Sequence, residues 1–170
     1  HGLASTLLYN LKPGEAIAAS GPYGQFVLKD EILPQRYIFI GTGTGITPYR
    51  SMLPQLAHYL QTTPLQIVIL QGVRTARDLL YGREFVDFCA QYTNAKFFAC
   101  YSRDLPSQPD SFEVLGYVQN HLESLHIKPG EDITYLCGNP NMVDAAFHTL
   151  QELGLDRVHI RREKYVASKA

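Results

Sequence analysis

The feature that most constrains the fold of this chain is the stretch YIFIGTGTGITPYRSM, residues 37–52. An apolar run ends at a glycine, three glycines alternate with threonines, and a proline then opens a helical pattern. Glycine permits a tight turn and lets another group approach the main chain without a Cβ in the way. The stretch therefore predicts a strand, an open backbone corner and a helix in immediate succession, which is typical of α/β folds.

Strand and helix patterns continue to alternate to the end of the chain. The runs that are apolar on both faces predict a parallel sheet covered on both sides by helices. Right-handed crossovers make such a sheet doubly wound. We therefore predict an α/β domain with a five-stranded, doubly wound parallel sheet over residues 34–170. The predicted strands are 36–41, 65–72, 95–102, 132–138 and 157–166, and the predicted helices are 47–61, 82–92, 117–125 and 141–154.

Residues 1–33 have a different character. STLLYNL predicts a short helix, and LKPGEAIAASGPYGQFVL predicts two strands between Pro-Gly and Gly-Pro turns, as at the edge of a barrel. The charged stretch KDEILPQ, which contains a proline, predicts a linker. The chain is thus expected to divide into a small β segment, residues 1–33, and the α/β domain, residues 34–170.

The composition excludes several classes of function. The chain has 170 residues, 45% of them hydrophobic and 18% charged, as in ordinary globular proteins. A formal charge of −1 gives no general attraction to nucleic acid or to an anionic membrane, and the apolar runs are too short to span one. Cys89, Cys100 and Cys137 are odd in number and lack C-x-x-C spacing. They predict reduced thiols in a cytoplasmic protein, without a disulfide framework or a metal site.

The glycine corner predicts a site for a pyrophosphate. Ligands of doubly wound sheets bind at the carboxyl ends of the strands, and the following helix directs its free N–H groups and partial positive charge there. The alternative is an ordinary turn between a strand and a helix. The pattern also departs from G-x-G-x-x-G, because Ile46 occupies the last position. The residues assigned to this site are Gly41, Thr42, Gly43, Thr44 and Gly45.

The ends of the second and third strands indicate which nucleotide is preferred. No acidic residue closes the second strand, which ends in QGVR and places Arg74 nearby. The third strand ends in YSRD and offers Ser102 and Arg103. A hydroxyl beside guanidinium groups suits a 2′-phosphate, so the pattern favours NADP over NAD. The alternative is that these arginines are solvated loop charges.

The fourth strand ends in YLCGNPNMV, at the same edge of the predicted sheet. Cys137 is expected either to border the ligand or to be a small buried residue, and the sequence places no histidine beside it to activate a nucleophile. Asn139 followed by Pro140 predicts the cap and first residue of a helix. Gly138, Asn139 and Met142 are assigned to the ligand-binding set.

Four motifs, GTGTGITPYRSM, GVRTARDLLY, YSRD and YLCGNPNMV, resemble the ferredoxin–NADP(+) reductase superfamily in their order and spacing. HGLASTLL, with Gly2 and Ser5, resembles the flavin pyrophosphate motif of that family, and GPYGQFVL resembles the last strand pair of its flavin barrel. The resemblance implies a barrel that holds FAD, or FMN in some branches, and an α/β domain that presents NAD(P)H, with FAD and NADPH as the expected cofactors. It further implies a protein electron acceptor such as ferredoxin or flavodoxin.

The resemblance also implies roles for individual residues. Residues 41–44 would contact the pyrophosphate and the nicotinamide side, and the adenosine end would contact Arg74, Ser102 and Arg103. Cys137 and Gly138 would lie near the nicotinamide. In REKYVASKA, Tyr165 would lie near the flavin with Glu163 as a polar partner, so that Cys137, Tyr165 and Glu163 form the expected catalytic group.

One family motif is missing. The main flavin motif, R-x-Y-[ST], does not occur in these residues. We therefore expect the chain to comprise the pyridine-nucleotide domain with the end of a flavin domain, and to be nearly inactive by itself. The alternatives are a nucleotide-binding module without redox turnover, and an NADH-dependent reductase component of an oxygenase or a flavin reductase.

Overall fold

The computed structural model describes residues 2–21, 23–29 and 33–165. Its α-helices are α1 (Leu3–Asn10), α2 (Thr47–Thr62), α3 (Gly82–Ala90) and α4 (Pro140–Glu152). Its strands are β1 (Arg36–Thr42), β2 (Gln66–Val73), β3 (Ala95–Tyr101), β4 (Glu113–Leu115), β5 (Asp132–Gly138) and β6 (Ile160–Lys164). Short 3-10 helices cover Gly43–Ile46, Ala76–Asp78, Val118–His121, Glu123–Leu125 and Arg157–His159.

The strands form a single parallel sheet in the order β4-β3-β2-β1-β5-β6. The chain builds outward from β1 to β4 and then returns to the other side of β1 for β5 and β6. The order therefore reverses between β1 and β5, which makes this the topological switch point. The predicted parallel α/β sheet is confirmed, but it has six strands rather than five. The extra strand, β4, lies in the predicted polar loop and is too short to show an alternating pattern.

Helices cover both faces of the sheet, so the doubly wound arrangement is confirmed. On one face, α2 and α3 bury Leu56 and Phe85 in a cluster that includes Phe39 of β1, and the Phe85 ring stacks on Phe97 of β3 at 5.5 Å. On the other face, α4 packs Val143 against residues of β1 and β5 such as Ile40. The central strands are apolar on both faces because both faces are covered.

The crossover from β4 to β5 differs from the predicted helix 117–125. It consists of the two 3-10 helices Val118–His121 and Glu123–Leu125. Val118 packs at the carboxyl ends of the strands, whereas the guanidinium of Arg36 fixes the carbonyls of Leu125 and His126 at the opposite ends, at 2.9 and 3.2 Å. A 3-10 helix rises about 2.0 Å per residue and an α-helix about 1.5 Å, so the 3-10 form covers more of the distance between these two anchors with the same number of residues.

In the front segment the short predicted helix is confirmed as α1, but the two predicted strands are not. Residues 11–21 and 23–29 form no strand with any other described segment, although the Val27 carbonyl accepts a hydrogen bond from the Tyr135 hydroxyl at 3.2 Å. Phe26 and Leu28 pack onto the α/β core instead, with the Phe26 ring 5.4 Å from that of Tyr135. Parts of the predicted motifs lie outside the described residues, namely His1, residue 22 of the turn, 30–32 of the linker and 166–170 of the tail.

Both edges of the sheet are short or charged. β4 has three residues, and β6 has the sequence IRREK with its last three residues exposed. The Lys164 ammonium pairs with Asp144 at 2.7 Å, and the Arg162 guanidinium lies 4.1 Å from the centre of the Phe147 ring. Within the described ranges, no helix is both long and apolar enough to cross a membrane.

A buried ion pair closes the end of the sheet at which β1 and β5 begin. Arg36 donates to both carboxylate oxygens of Asp132, at 2.9 and 2.5 Å, and the main-chain N–H of Lys128 donates to the same carboxylate at 2.8 Å. The Asp132 side chain is 1% exposed. This network joins β1, β5 and the end of the crossover.

Replacing Asp132 by alanine should therefore lower the free energy of unfolding by about 3–5 kcal/mol, because the guanidinium of Arg36 is left buried without its counter-charge. Urea denaturation followed by circular dichroism measures the effect. Asp144→Ala, which breaks the exposed pair with Lys164, is the matched control and should change the urea midpoint little. Equal losses in the two variants would contradict the assigned role.

Candidate functional site

A cleft of about 830 Å³ opens at the carboxyl ends of β1, β2, β3 and β5, at the switch point of the sheet. Ten of the residues assigned from the sequence line this cleft, although they come from five separate segments of the chain. They are Thr42, Gly43, Thr44, Arg74, Ser102, Arg103, Gly138, Asn139, Met142 and Tyr165.

The remaining assigned residues do not line the cleft. Gly41, Gly45 and Cys137 are buried in the corners of β1 and β5, Glu163 is exposed on β6, and Gly2 and Ser5 are exposed in the front segment. The structure also adds lining residues that the sequence analysis missed. Most of them lie at or after strand ends, or in the crossover from β4 to β5, for which the wrong type of helix was predicted. They are Gly72, Val73, Asp78, Cys100, Tyr117, Val118, Gln119, Asn141 and Ala145.

The glycines of the corner serve two different purposes. Gly43 lies in the cleft with φ of +55°, and a Cβ on it would find no atom within 4 Å. Its main chain is therefore open to a ligand. Gly45 is buried, and a Cβ on it would lie 2.6 Å from the Cα of Gly138. Gly45 is thus required by the close contact between the ends of β1 and β5.

The same contact fixes the start of α4. The N–H of Asn139 donates to the Thr42 hydroxyl oxygen at 3.0 Å, and the Asn139 side-chain oxygen accepts from the N–H of Asn141 at 2.9 Å. The predicted cap is confirmed, and Pro140 is the first helical residue. The first turn of α4 and the 3-10 turn at Gly43 both present main-chain N–H groups near the cleft, which favours an anion between them.

The part of the cleft that follows β2 and β3 carries positive charge, and hydrogen bonds between the two strand ends hold it in place. The N–H and hydroxyl of Ser102 both donate to the Val73 carbonyl, at 2.9 and 3.1 Å. The N–H groups of Arg103 and Asp104 donate to the Arg74 carbonyl, each at 3.2 Å. The guanidinium groups of Arg74 and Arg103 are exposed, and neither has an ion-pair or hydrogen-bond partner among the residues that the structure describes.

Asp78 is the one acidic residue that lines the described part of the cleft. Its carboxylate accepts from the N–H and the hydroxyl of Thr75, at 3.0 and 3.1 Å, and so caps the 3-10 helix Ala76–Asp78. These two hydrogen bonds direct the carboxylate to its own loop.

Cys137 and Tyr165 adjoin the opposite end of the cleft. The Tyr165 N–H donates to the Gly138 carbonyl at 2.8 Å, and its hydroxyl donates to the Cys137 sulfur. Burial raises the pKa of Cys137 to about 11 and that of Tyr165 to about 12. Both groups are therefore neutral at physiological pH. Glu163 is the register partner of Cys137 across β5 and β6, and its charge further raises the pKa of both groups.

The cysteines and histidines form no metal centre in the described ranges, since no group of three metal-binding side chains comes together there. Cys89, Cys100 and Cys137 are all free and buried. The chemistry available at the cleft is accordingly that of main-chain donors, hydroxyls and two cations, which suits binding of a phosphorylated ligand.

This arrangement defines a dinucleotide-binding α/β domain. The sequence profile of the oxidoreductase NAD-binding domain matches residues 39–148, and the chain belongs to that family. The resemblance to the ferredoxin–NADP(+) reductase superfamily is thereby confirmed.

Individual known proteins agree with this assignment. The chain is 31% identical to the toluate 1,2-dioxygenase electron transfer component of Pseudomonas putida, over 98% of this chain and 48% of that protein. It is 32% identical to the propane 2-monooxygenase reductase component of Rhodococcus jostii, over 96% of this chain and 44% of that protein. A ferredoxin-NADP+ reductase variant from Plasmodium falciparum superposes with a TM-score of 0.77 at 29% identity, covering 97% of this chain and 66% of that one. The chain thus spans less than half the length of these two sequence relatives.

The raised pKa of Cys137 makes stability depend on pH. The thiol ionises near its ordinary value of 9.0 in the unfolded chain and at about 11 in the folded one. Between these values the folded state binds more protons, so stability should fall as pH rises, by up to about 1.4 kcal/mol per pH unit for this group. Urea unfolding with reductant, from about pH 8 to about pH 10.5, measures the slope. Cys137→Ala should lower the slope by the share of this one group, because burial also raises the pKa of Cys89 and Cys100, which contribute slopes of their own. An unchanged slope in that variant would contradict the assignment.

Proposed function

We propose that this chain is the pyridine-nucleotide-binding part of a cytoplasmic flavin-dependent oxidoreductase, which passes electrons from NADPH through FAD to a protein acceptor. The observation that carries the proposal is the open main chain at Gly43, placed at the switch point between two helix N-termini. The same cleft holds two guanidinium groups that have no partner among the described residues. The relatives named as an electron transfer component and a reductase component support a protein acceptor. Ferredoxin or flavodoxin is the acceptor proposed.

The pyrophosphate is proposed to lie against Gly43 and Thr44, close to the first turn of α4. Main-chain N–H groups at a helix start bind phosphate oxygens without any further cation. The Thr42 hydroxyl oxygen is engaged by Asn139, so Thr42 acts chiefly by fixing the corner. Gly41 and Gly45 act in the same indirect way, through packing beneath the cleft.

The adenosine end is proposed to bind beside Arg74, Ser102 and Arg103, with the 2′-phosphate on the guanidinium groups. Tyr117 lines this cleft and is 58% exposed, so its ring offers a face on which adenine can stack. The side-chain oxygen of Gln119 is buried without a hydrogen-bond partner among the described residues, and it suits the amino group of the base.

At the nicotinamide end, the proposed set is Cys137, Gly138, Met142, Tyr165 and Glu163. Nicotinamide and flavin supply the hydride chemistry themselves when bound. The residues of the chain position the rings and exclude water. The neutral thiol of Cys137 and the hydroxyl of Tyr165 are linked to each other, so the Tyr165 ring is held at the mouth of the cleft.

Residues 1–33 are proposed to belong to a flavin domain, with Gly2 and Ser5 near the FAD pyrophosphate. Helix α1 buries none of its residues, and Leu3, Leu7, Leu8 and Tyr9 are all more than half exposed. So much exposed apolar surface on one short helix supports contact with further protein or with a flavin. The division at residue 33 is proposed because the sheet begins at Arg36, although Phe26 and Leu28 pack onto the α/β core.

A second candidate is an NADH-dependent reductase component of an oxygenase. Asp78 favours it, because a carboxylate in the cleft repels a 2′-phosphate. Its capping bonds to Thr75 weigh against this, since they already engage the carboxylate. The guanidinium groups of Arg74 and Arg103, which have no partner in the described part of the chain, therefore favour NADPH.

The preference is tested by Arg103→Ala. Calorimetry should show that the 170-residue chain binds NADPH, and that the variant loses about tenfold or more in NADPH affinity with little change for NADH, because a charge-assisted contact to the 2′-phosphate is lost. Arg77→Ala is the matched control, since Arg77 lies in the adjacent loop outside the cleft lining. Equal losses for both nucleotides would refute the 2′-phosphate site, and no binding of either nucleotide would refute the proposed function.

The electron-transfer reaction is tested in the natural polypeptide that contains this chain. Anaerobic titration with NADPH should bleach its flavin absorbance, and NADH should do so more slowly. Bleaching by neither nucleotide would leave only a nucleotide-binding module without redox turnover.

A further inference from the structure

A second cavity, of about 580 Å³, lies between the face of the sheet opposite α2 and α3 and the 3-10 crossover. Val68, Leu70, Phe98 and Val114 form its floor, and Lys96 and His121 stand at its rim. We call it the basal cavity. It shares none of its lining residues with the nucleotide cleft.

The cavity exists because the crossover from β4 to β5 consists of short 3-10 helices that leave part of the sheet uncovered. On the same face, α4 buries β1 and β5, but only the two 3-10 helices pass over β2, β3 and β4. Phe98 and Val114 are consequently only partly buried, although they lie on an otherwise apolar face. The uncovered surface is concave and apolar, and its volume falls within the range of about 300–1,000 Å³ that is typical of small-molecule sites.

The charge around the cavity has one sign. Among the residues that the structure describes, no acidic residue lines it, and the one arginine in the lining, Arg36, is already paired with Asp132. His121 places its Nε2 atom 3.1 Å from the Leu115 carbonyl. Lys96 is exposed and has no ion-pair or hydrogen-bond partner in the described part of the chain. The ammonium of Lys96 thus lies beside an apolar surface, without a negative charge next to it among the described residues.

We propose that the basal cavity binds a small amphiphilic carboxylate. Its carboxylate would pair with Lys96, and its hydrocarbon part would cover Phe98, Val68 and Val114. The chemistry differs from that of the nucleotide cleft, because no glycine corner or helix N-terminus lines the cavity to receive phosphates. The proposal is independent of the function assigned to that cleft.

The test uses the complete chain with octanoate as the probe, without any nucleotide. Calorimetry should show saturable binding at low millimolar concentration, and NMR of the labelled chain should place the shifted amide signals in β3 and β4. Acetate, which lacks the hydrocarbon part, and octylammonium, which reverses the charge, should bind far more weakly.

Variants of Lys96 separate a specific site from general hydrophobic adsorption. Because its side chain is exposed, Lys96→Gln should leave folding intact and weaken octanoate binding about fivefold or more, whereas Lys96→Arg should retain it. Lys12→Gln, an exposed lysine outside the cavity, should bind as the parent does.

Failure of octanoate to saturate would overturn the proposal. So would equal binding of octylammonium, equal affinity in Lys96→Gln, or shifted signals confined to the residues near Gly43. None of these results bears on NADPH binding.

Discussion

The close main-chain contact between the ends of β1 and β5 is the constraint on which the rest of the site depends. Gly45 fits against Gly138 only because Gly45 carries no Cβ, and a Cβ on Gly138 would lie 2.5 Å from the Thr42 carbonyl oxygen. Asn139 completes the contact by donating to Thr42. The contact brings the starts of α2 and α4 together at the point where the strand order reverses. A larger residue at either glycine would separate the two strand ends and with them the two groups of N–H donors.

Much of this arrangement could be predicted from the sequence, because it follows from local patterns. Apolar runs, glycines and caps such as Asn139 located the central strands, the helices and the carboxyl edge of the sheet. The distinct roles of Gly43 and Gly45 could not be predicted, since they depend on what lies across the corner from each residue. Cys137 likewise lies beneath the cleft rather than in its lining, because alternate residues of a strand point to opposite faces.

The errors have a common physical origin in contacts distant along the chain. Strand β4 pairs with the edge of β3, and the 3-10 crossover is attached to Arg36 at one end while Val118 lines the nucleotide cleft at the other. The same crossover lines both the nucleotide cleft and the basal cavity. Val118 lines the nucleotide cleft, and His121, in the same 3-10 helix, lines the basal cavity.

The edges of the sheet bear on how the protein behaves at high concentration. An exposed strand edge is a template on which a second chain can add a strand, and long apolar edges promote aggregation. Here β4 has three residues to offer, and β6 carries the run Arg161, Arg162, Glu163 and Lys164. Repulsion between Arg161, Arg162 and Lys164 on two copies opposes edge-to-edge association at β6, and the three residues of β4 give a second copy little to pair with.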